Sequence, residues 1–143
     1  MSAAVIAPAG VVATTGARTR TAWGVTALVA LFLAFDGVTH VLQVQAVTDS
    51  FRDLGYPDGS ALGIGVVELV CLGLYLLPRT APLGAVLLTG YLGGAVAAQL
   101  RVEAPLLSTA LFPVYTGVLV WGGLALRDRR VLQLVRRGPV QGA

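Results

Sequence analysis

Charge, cysteine and histidine are all scarce in these 143 residues: 12% of the chain is charged, all ten basic residues are arginines, and Cys71 and His40 are single copies. One cysteine excludes an intramolecular disulfide framework, a CxxC redox pair and a cysteine-based zinc cluster. One histidine excludes haem ligation by two histidines, or a histidine-rich metal site, within one copy of the chain. So little charge also excludes a disordered protein, and it sits far below the roughly 25% of an ordinary soluble domain. What is abundant is apolar: 56% of the residues, before any of the 18 glycines is counted. A chain of this composition cannot cover itself with polar surface, and the bilayer is its expected solvent.

The net charge of +3 does not point to nucleic acid, because the arginines flank apolar segments and do not interleave with aromatic residues along a groove. Residues 83–100 and 104–126 contain no ionisable side chain except tyrosine. As helices they reach roughly 27 and 34 Å, against a hydrocarbon core of about 30 Å. Residues 21–47 form a third apolar segment that contains Asp36 and His40, and residues 60–77 a fourth that contains Glu68. The connections are short and force neighbouring spans to be antiparallel. The expectation is an all-α antiparallel bundle of four transmembrane helices over residues 21–127, with a flexible N-terminal tail over 1–20 and a basic C-terminal tail over 128–143.

Eight arginines lie on the N-terminal flank, in the Arg79 loop and on the C-terminal tail, and two, Arg52 and Arg101, on the opposite side. Arginine concentrates on the cytoplasmic side of membrane spans, so both termini are expected there. Trp23 and Trp121 sit at the same end as the eight. In the loop between the first two spans, Phe51 and Leu54 are three apart, Gly55 suits a positive backbone angle, and Pro57-Asp58-Gly59 supplies a turn. A short interfacial helix is expected there, with Asp58 or Ser60 capping span two. In span three Gly90, Gly94 and Ala98 form a small-xxx-small row, expected to pack helices closely within the chain or in a homodimer. Pro113 predicts a kink in span four.

Asp36, His40 and Gln43 fall at i, i+4 and i+7 and so share one helical face. A charge at the bilayer centre costs on the order of 2.5 to 3.5 kcal/mol, which turns Asp36 and Glu68 inward. Counted from the outer ends of the spans, Asp36 lies about 16 Å deep, Glu68 about 12 Å and His40 about 10 Å. A polar pocket of Asp36, His40 and Glu68 is therefore expected in the outward half, bordered by Gln43, Gln99 and Arg101, with Tyr91 and Tyr115 nearby and no metal. Such a group suits proton relay, hydrogen bonding to a quinone headgroup, or acid/base catalysis on a lipid-soluble substrate.

The segments Phe32-Leu-Ala-Phe-Asp-Gly-Val-Thr-His40, Phe51-Arg-Asp-Leu-Gly-Tyr-Pro57, Gly65-Val-Val-Glu-Leu69, Leu77-Pro-Arg-Thr80 and Gly90-Tyr-Leu-Gly-Gly-Ala-Val96 resemble the DoxX-like family of small bacterial membrane proteins, over about residues 31–128. The resemblance implies a four-helix protein of the bacterial inner membrane, associated with membrane oxidoreductase complexes. The family's function is largely unassigned, and the leading expectation for this chain is an accessory subunit that presents a polar pocket to a quinone or similar lipid and docks a soluble redox protein through the basic C-terminal tail. A membrane enzyme using Asp36 or Glu68 as general acid/base is the alternative, and a small carrier a third. Where many relatives carry a histidine before Leu-Arg at the end of span three, this chain has Gln99-Leu-Arg101. That departure disfavours a paired-histidine site.

Overall fold

The computed structural model describes residues 14–128 and Val131. Residues 1–13 and most of the basic C-terminal tail, including Arg129, Arg130, Arg136 and Arg137, lie outside the described residues. Every element among the described residues is helical: α1 Thr14–Val41, α2 Gln45–Asp53, α3 Ser60–Leu76, α4 Ala81–Arg101, a π-helical segment Leu106–Ala110, and α5 Phe112–Arg127. Three helices are long and apolar enough to cross a membrane: α1, α4, and the π segment continuous with α5. The fourth apolar helix, α3, is shorter at 17 residues.

The helix boundaries depart from expectation at both ends of α1. The helix begins at Thr14, so residues 14–20 of the expected tail are helical. It ends at Val41, six residues before residue 47, because Gln43 takes a left-handed conformation with φ +48°. Gln43 N–H then donates to His40 O and Val44 N–H to Thr39 O, the paired bonds of a Schellman cap. The same pair of bonds closes α2 at Gly55 and α4 at Glu103, whose φ values are +73° and +55°. Glycine adopts this conformation freely, whereas glutamine and glutamate adopt it at a cost. The reversal after Gln43 throws α2 across the end of the bundle.

A further expectation is corrected. Neither Asp58 nor Ser60 caps α3: the N-cap is Gly59 at φ +84° with no side-chain cap bond. Asp58 accepts instead from Arg52 at 3.2 Å, and the Ser60 hydroxyl donates to Pro57 O at 2.7 Å. The irregularity expected at Pro113 takes the form of a π-helical segment just before it. Ala110 N–H donates to Pro105 O and Leu111 N–H to Leu106 O, five residues back, and this π winding stops before Pro113. The proline then sits in the first turn of α5, where a missing N–H costs nothing.

The four long helices pack in a ring, α1 against α3 and α5, and α4 against α3 and α5. Within it the stretch between mid-bundle and the Arg18 and Arg127 end is filled by Val29, Leu33, Leu72, Tyr75, Leu88, Val120 and Leu124, all 4% exposed or less. The Tyr75 hydroxyl donates to Val120 O at 2.9 Å and Trp121 Nε1 to the Thr89 hydroxyl at 2.9 Å, which tie α5 to α3 and α4. Outside the ring, Leu28, Leu31, Phe35, Val66, Val70, Val86 and Val118 are exposed, the arrangement of a surface solvated by hydrocarbon.

Close helix contact is made by glycines other than the expected row. A Cβ at Gly65 would lie 2.6 Å from His40 Cβ and 2.8 Å from Gly37 O. One at Gly84 would overlap the backbone of Tyr75. By contrast, a Cβ at Gly90 or Gly94 would meet nothing within 4 Å. The Gly90, Gly94, Ala98 row is therefore not a packing seam inside the chain. It borders open volume.

This difference predicts opposite responses to added side chains. Gly65→Val and Gly84→Val should each lower stability by about 1–3 kcal/mol or more through overpacking, whereas Gly90→Ala and Gly94→Ala should stay within about 0.5 kcal/mol of the parent. Thermal unfolding in a mild detergent measures both.

Candidate functional site

The site begins with the crossing of α1 and α3. Gly37 and Gly65 face one another there, and because neither has a side chain the two backbones approach closely enough for their polar neighbours to meet. Asp36 and His40 flank Gly37 on α1, and Glu68 lies one turn beyond Gly65 on α3. The Glu68 side chain is 0% exposed, His40 13% and Asp36 40%. His40 Nδ1 is 3.7 Å from Asp36 Oδ2 and 4.0 Å from Glu68 Oε2, and one donor atom from each of the three residues falls within 4.8 Å of the others.

Hydrogen bonding assigns roles within the group. His40 Nδ1 lies 2.7 Å from the carbonyl oxygen of Asp36. A carbonyl only accepts, so Nδ1 carries a proton. The nitrogen nearest both acids therefore meets them as a donor, and in this arrangement it is not free to ligate a metal. From α4, the Tyr91 hydroxyl donates to Glu68 Oε2 at 2.8 Å. Glu68 Oε1 is buried with no hydrogen-bond partner. A buried polar atom left unpaired costs roughly 1–3 kcal/mol, so at this oxygen a ligand hydroxyl gains a bond to the carboxylate, or a ligand carbonyl a bond to the carboxylic acid, without displacing one.

These groups form one wall of a cavity of about 620 Å³ in the half of the bundle near α2. Volumes of roughly 300–1,000 Å³ are usual for small-molecule sites. Apart from the polar wall the lining is apolar or small: Leu33 and Leu92 from the packed core, Gly90, Gly94 and Ala98 from α4, and Phe112 and Pro113 from the start of α5. The volume exists because the small-residue row of α4 leaves it unfilled. Helix α2 roofs it with Val47, Phe51 and Leu54. The Phe51 ring meets the His40 ring edge-on at a centroid distance of 5.2 Å and the Tyr56 ring at 5.3 Å. The roof is pinned by Arg101, whose guanidinium donates to Leu54 O and lies 5.8 Å from the Tyr56 ring centre.

Of the residues expected from sequence, Asp36, His40, Glu68 and Gln99 line this cavity. Gln43 does not. It lies past the end of α1, exposed, and borders a separate outer pocket with Thr48 and Arg52. Arg101 holds the roof and is not part of the lining. Tyr115, expected nearby, is 48% exposed on the outer surface. Because α1 ends at Val41, Asp36 is only about 8 Å inside the helix end, and α2 supplies the cover that depth was expected to give. The interfacial helix expected from Phe51 and Leu54 is α2, though its contact with His40 was not foreseen, and sequence reasoning missed the Phe112, Pro113, Thr116 wall. The Phe51 and Leu54 spacing was the available signal for the roof. Nothing in the local sequence marked the π winding that brings Phe112 and Pro113 to the cavity.

Comparison with known proteins finds one family match. A model of the DoxX-like family matches residues 24–123, a stretch that runs from α1 into α5 and contains every residue of the polar wall. No curated protein and no solved structure matches the chain.

The Tyr91 and Glu68 pair carries a testable stability signature. Tyr91→Phe should cost about 1–3 kcal/mol by leaving Glu68 without its partner, and adding Glu68→Met to it should recover most of that loss. Thermal unfolding of the single and double variants checks this, and an undiminished loss in the double variant would mean the pair does not interact.

Proposed function

The chain belongs to the DoxX-like family, and from that premise we propose that it binds the polar head of a quinone or similar lipid-soluble ligand in the cavity beneath α2, as an accessory subunit of a bacterial membrane oxidoreductase system. The observation that carries this reading is the fully buried Glu68. One of its oxygens is held by Tyr91 and the other is unpartnered, on the wall of an otherwise apolar cavity. A ligand with one hydrogen-bonding end and an apolar body matches that distribution of groups. Asp36 and the side-chain amide of Gln99 add an acceptor and a donor to the lining of the same cavity.

In this reading α1, α3, α4 and the π segment with α5 cross the inner membrane as an antiparallel bundle of four. The 17 residues of α3 rise about 26 Å, at the short end of what spans a bilayer, and modest bilayer thinning accommodates the difference. Both termini are cytoplasmic, since Arg18, Arg20, Arg79 and Arg127 gather at one end and Arg52 and Arg101 at the other. Docking of a soluble redox partner falls to the basic tail, which lies mostly outside the described residues.

Catalysis is the second reading, favoured by two acids and an imidazole within 4.8 Å at a cavity wall, a spacing suited to proton transfer to and from a bound substrate. The two readings part in one experiment: purification in a gentle detergent from native membranes, with mass spectrometry of the retained lipids. A quinone should co-purify unchanged, and Glu68→Met should weaken its retention about tenfold, as expected for loss of a buried hydrogen bond. Absence of any quinone from the parent protein rejects ligand binding as proposed. Chemical conversion of the retained molecule moves the assignment to an enzyme.

A further inference from the structure

At the end of the bundle remote from the acids, a second cavity of about 410 Å³ opens where α1 begins and α5 ends, lined among others by Arg18, Trp23, Pro78, Ala81, Leu126 and Arg127. Two guanidiniums thus face one small volume. Asp128 is the one acidic residue among the lining, so the walls carry a net positive charge. Backbone carbonyls orient both guanidiniums. Arg18 donates from Nε to Leu126 O at 3.3 Å and from Nη2 to Ala125 O at 3.2 Å, which also answers the negative end of α5. Arg127 Nη2 donates to Tyr75 O at 2.5 Å, and its guanidinium lies 4.5 Å from the Tyr75 ring centre and 6.0 Å from that of Trp23.

These contacts leave donors to spare, because each guanidinium has five N–H groups. Arg127 Nε is buried and has no hydrogen-bond partner, which is a fixed, pre-oriented donor lacking an acceptor. The chemistry that satisfies two convergent guanidiniums is a phosphate, which accepts several charge-assisted bonds at once. The surroundings favour a phosphate that arrives on a lipid. Trp23, 53% exposed, lies at the cavity, and Leu77 and Leu83 in neighbouring turns are 57% and 53% exposed. That is the mixture of amphipathic ring and alkyl surface found where headgroups meet acyl chains. Basic pockets between spans on the arginine-rich side are suited to anionic headgroups.

We propose that this cavity binds the phosphodiester headgroup of an anionic phospholipid, with Arg18 and Arg127 donating to the phosphate and Trp23 covering the glycerol and upper acyl chain. The site is separate from the acid-lined cavity and does not depend on what that cavity holds.

The test uses the full chain in vesicles, with Trp121→Phe introduced so that Trp23 is the one remaining tryptophan, and follows quenching of its fluorescence by lipids brominated on the acyl chain. Brominated phosphatidylglycerol diluted into phosphatidylcholine should quench at about tenfold lower mole fraction than brominated phosphatidylcholine, the ratio for one well-made charge-assisted contact. Arg18→Gln should lower that ratio, and Arg18→Gln with Arg127→Gln should abolish it. Arg79→Gln, at the same end but outside the lining, should leave it unchanged. The comparison of lipids in the parent protein stands even where the double variant fails to fold. Equal quenching by both lipids, or a preference that survives in the folded double variant, overturns the proposal. Relief of quenching by millimolar inorganic phosphate overturns it as well, and assigns the cavity to a soluble phosphate.

Discussion

Everything at the acid site depends on the distance between two backbones. Gly37 on α1 and Gly65 on α3 let their helices touch where any side chain would collide with His40 or Leu69, and only at that separation do Asp36, His40 and Glu68 come within 4.8 Å of one another. In hydrocarbon, apolar side chains give helices little reason to associate, so close packing at small residues has to hold them together. The same contact makes burial of a carboxyl tolerable. Glu68 is taken out of lipid by α1, bonded by Tyr91 from α4, and thereby links three of the four long helices.

The bundle divides into two halves with different physical characters. Toward Arg18 and Arg127, as far as the second cavity, it is a packed core, closed by Tyr75 and by the contact of Gly84 with its backbone. Toward α2 helix α4 presents Gly90, Gly94 and Ala98, and the space they leave unfilled becomes a cavity. A rigid half and a hollow half in one small bundle is an economical way to hold a ligand. The packed end fixes the helix axes, so the side chains of the hollow end stay in place without packing against each other. Helix α2 covers one end of the cavity because the chain reverses sharply at Gln43, and Arg101 keeps it there through the Leu54 carbonyl.

The polar wall was legible in the sequence because the energetics are one-sided. An acid in an apolar span has few tolerable orientations, and the helical period then decides which residues share its face, so Asp36, His40 and Glu68 could be placed together before any coordinates. On α3 the same period puts Ala61, Gly65, Leu72 and Tyr75 on the face of Glu68, and all four are buried. Helix ends were less legible. Gln43 and Glu103 occupy left-handed positions that glycine usually marks, and without that mark α1 reads as six residues too long, which misplaces Gln43 on the acid face. Small-residue rows were ambiguous for a different reason. A glycine says that nothing fills its position, and whether a neighbouring helix or a cavity lies opposite is a tertiary fact. Gly65 and Gly84 meet backbone or Cβ atoms, while Gly90 and Gly94 border the cavity.

The central claim is that Glu68 is buried at a cavity wall, out of reach of water, with a free oxygen that a ligand engages. Carboxyl labelling by a hydrophobic carbodiimide in native membranes, read by peptide mass spectrometry with and without a short-chain quinone, tests it most directly. Glu68 should react, a water-soluble carbodiimide should leave it untouched, and the quinone should suppress its labelling while acids in the α2 turn, such as Asp58, remain unaffected. Labelling of Glu68 that is equal with both reagents, or unchanged by quinone, would contradict the account.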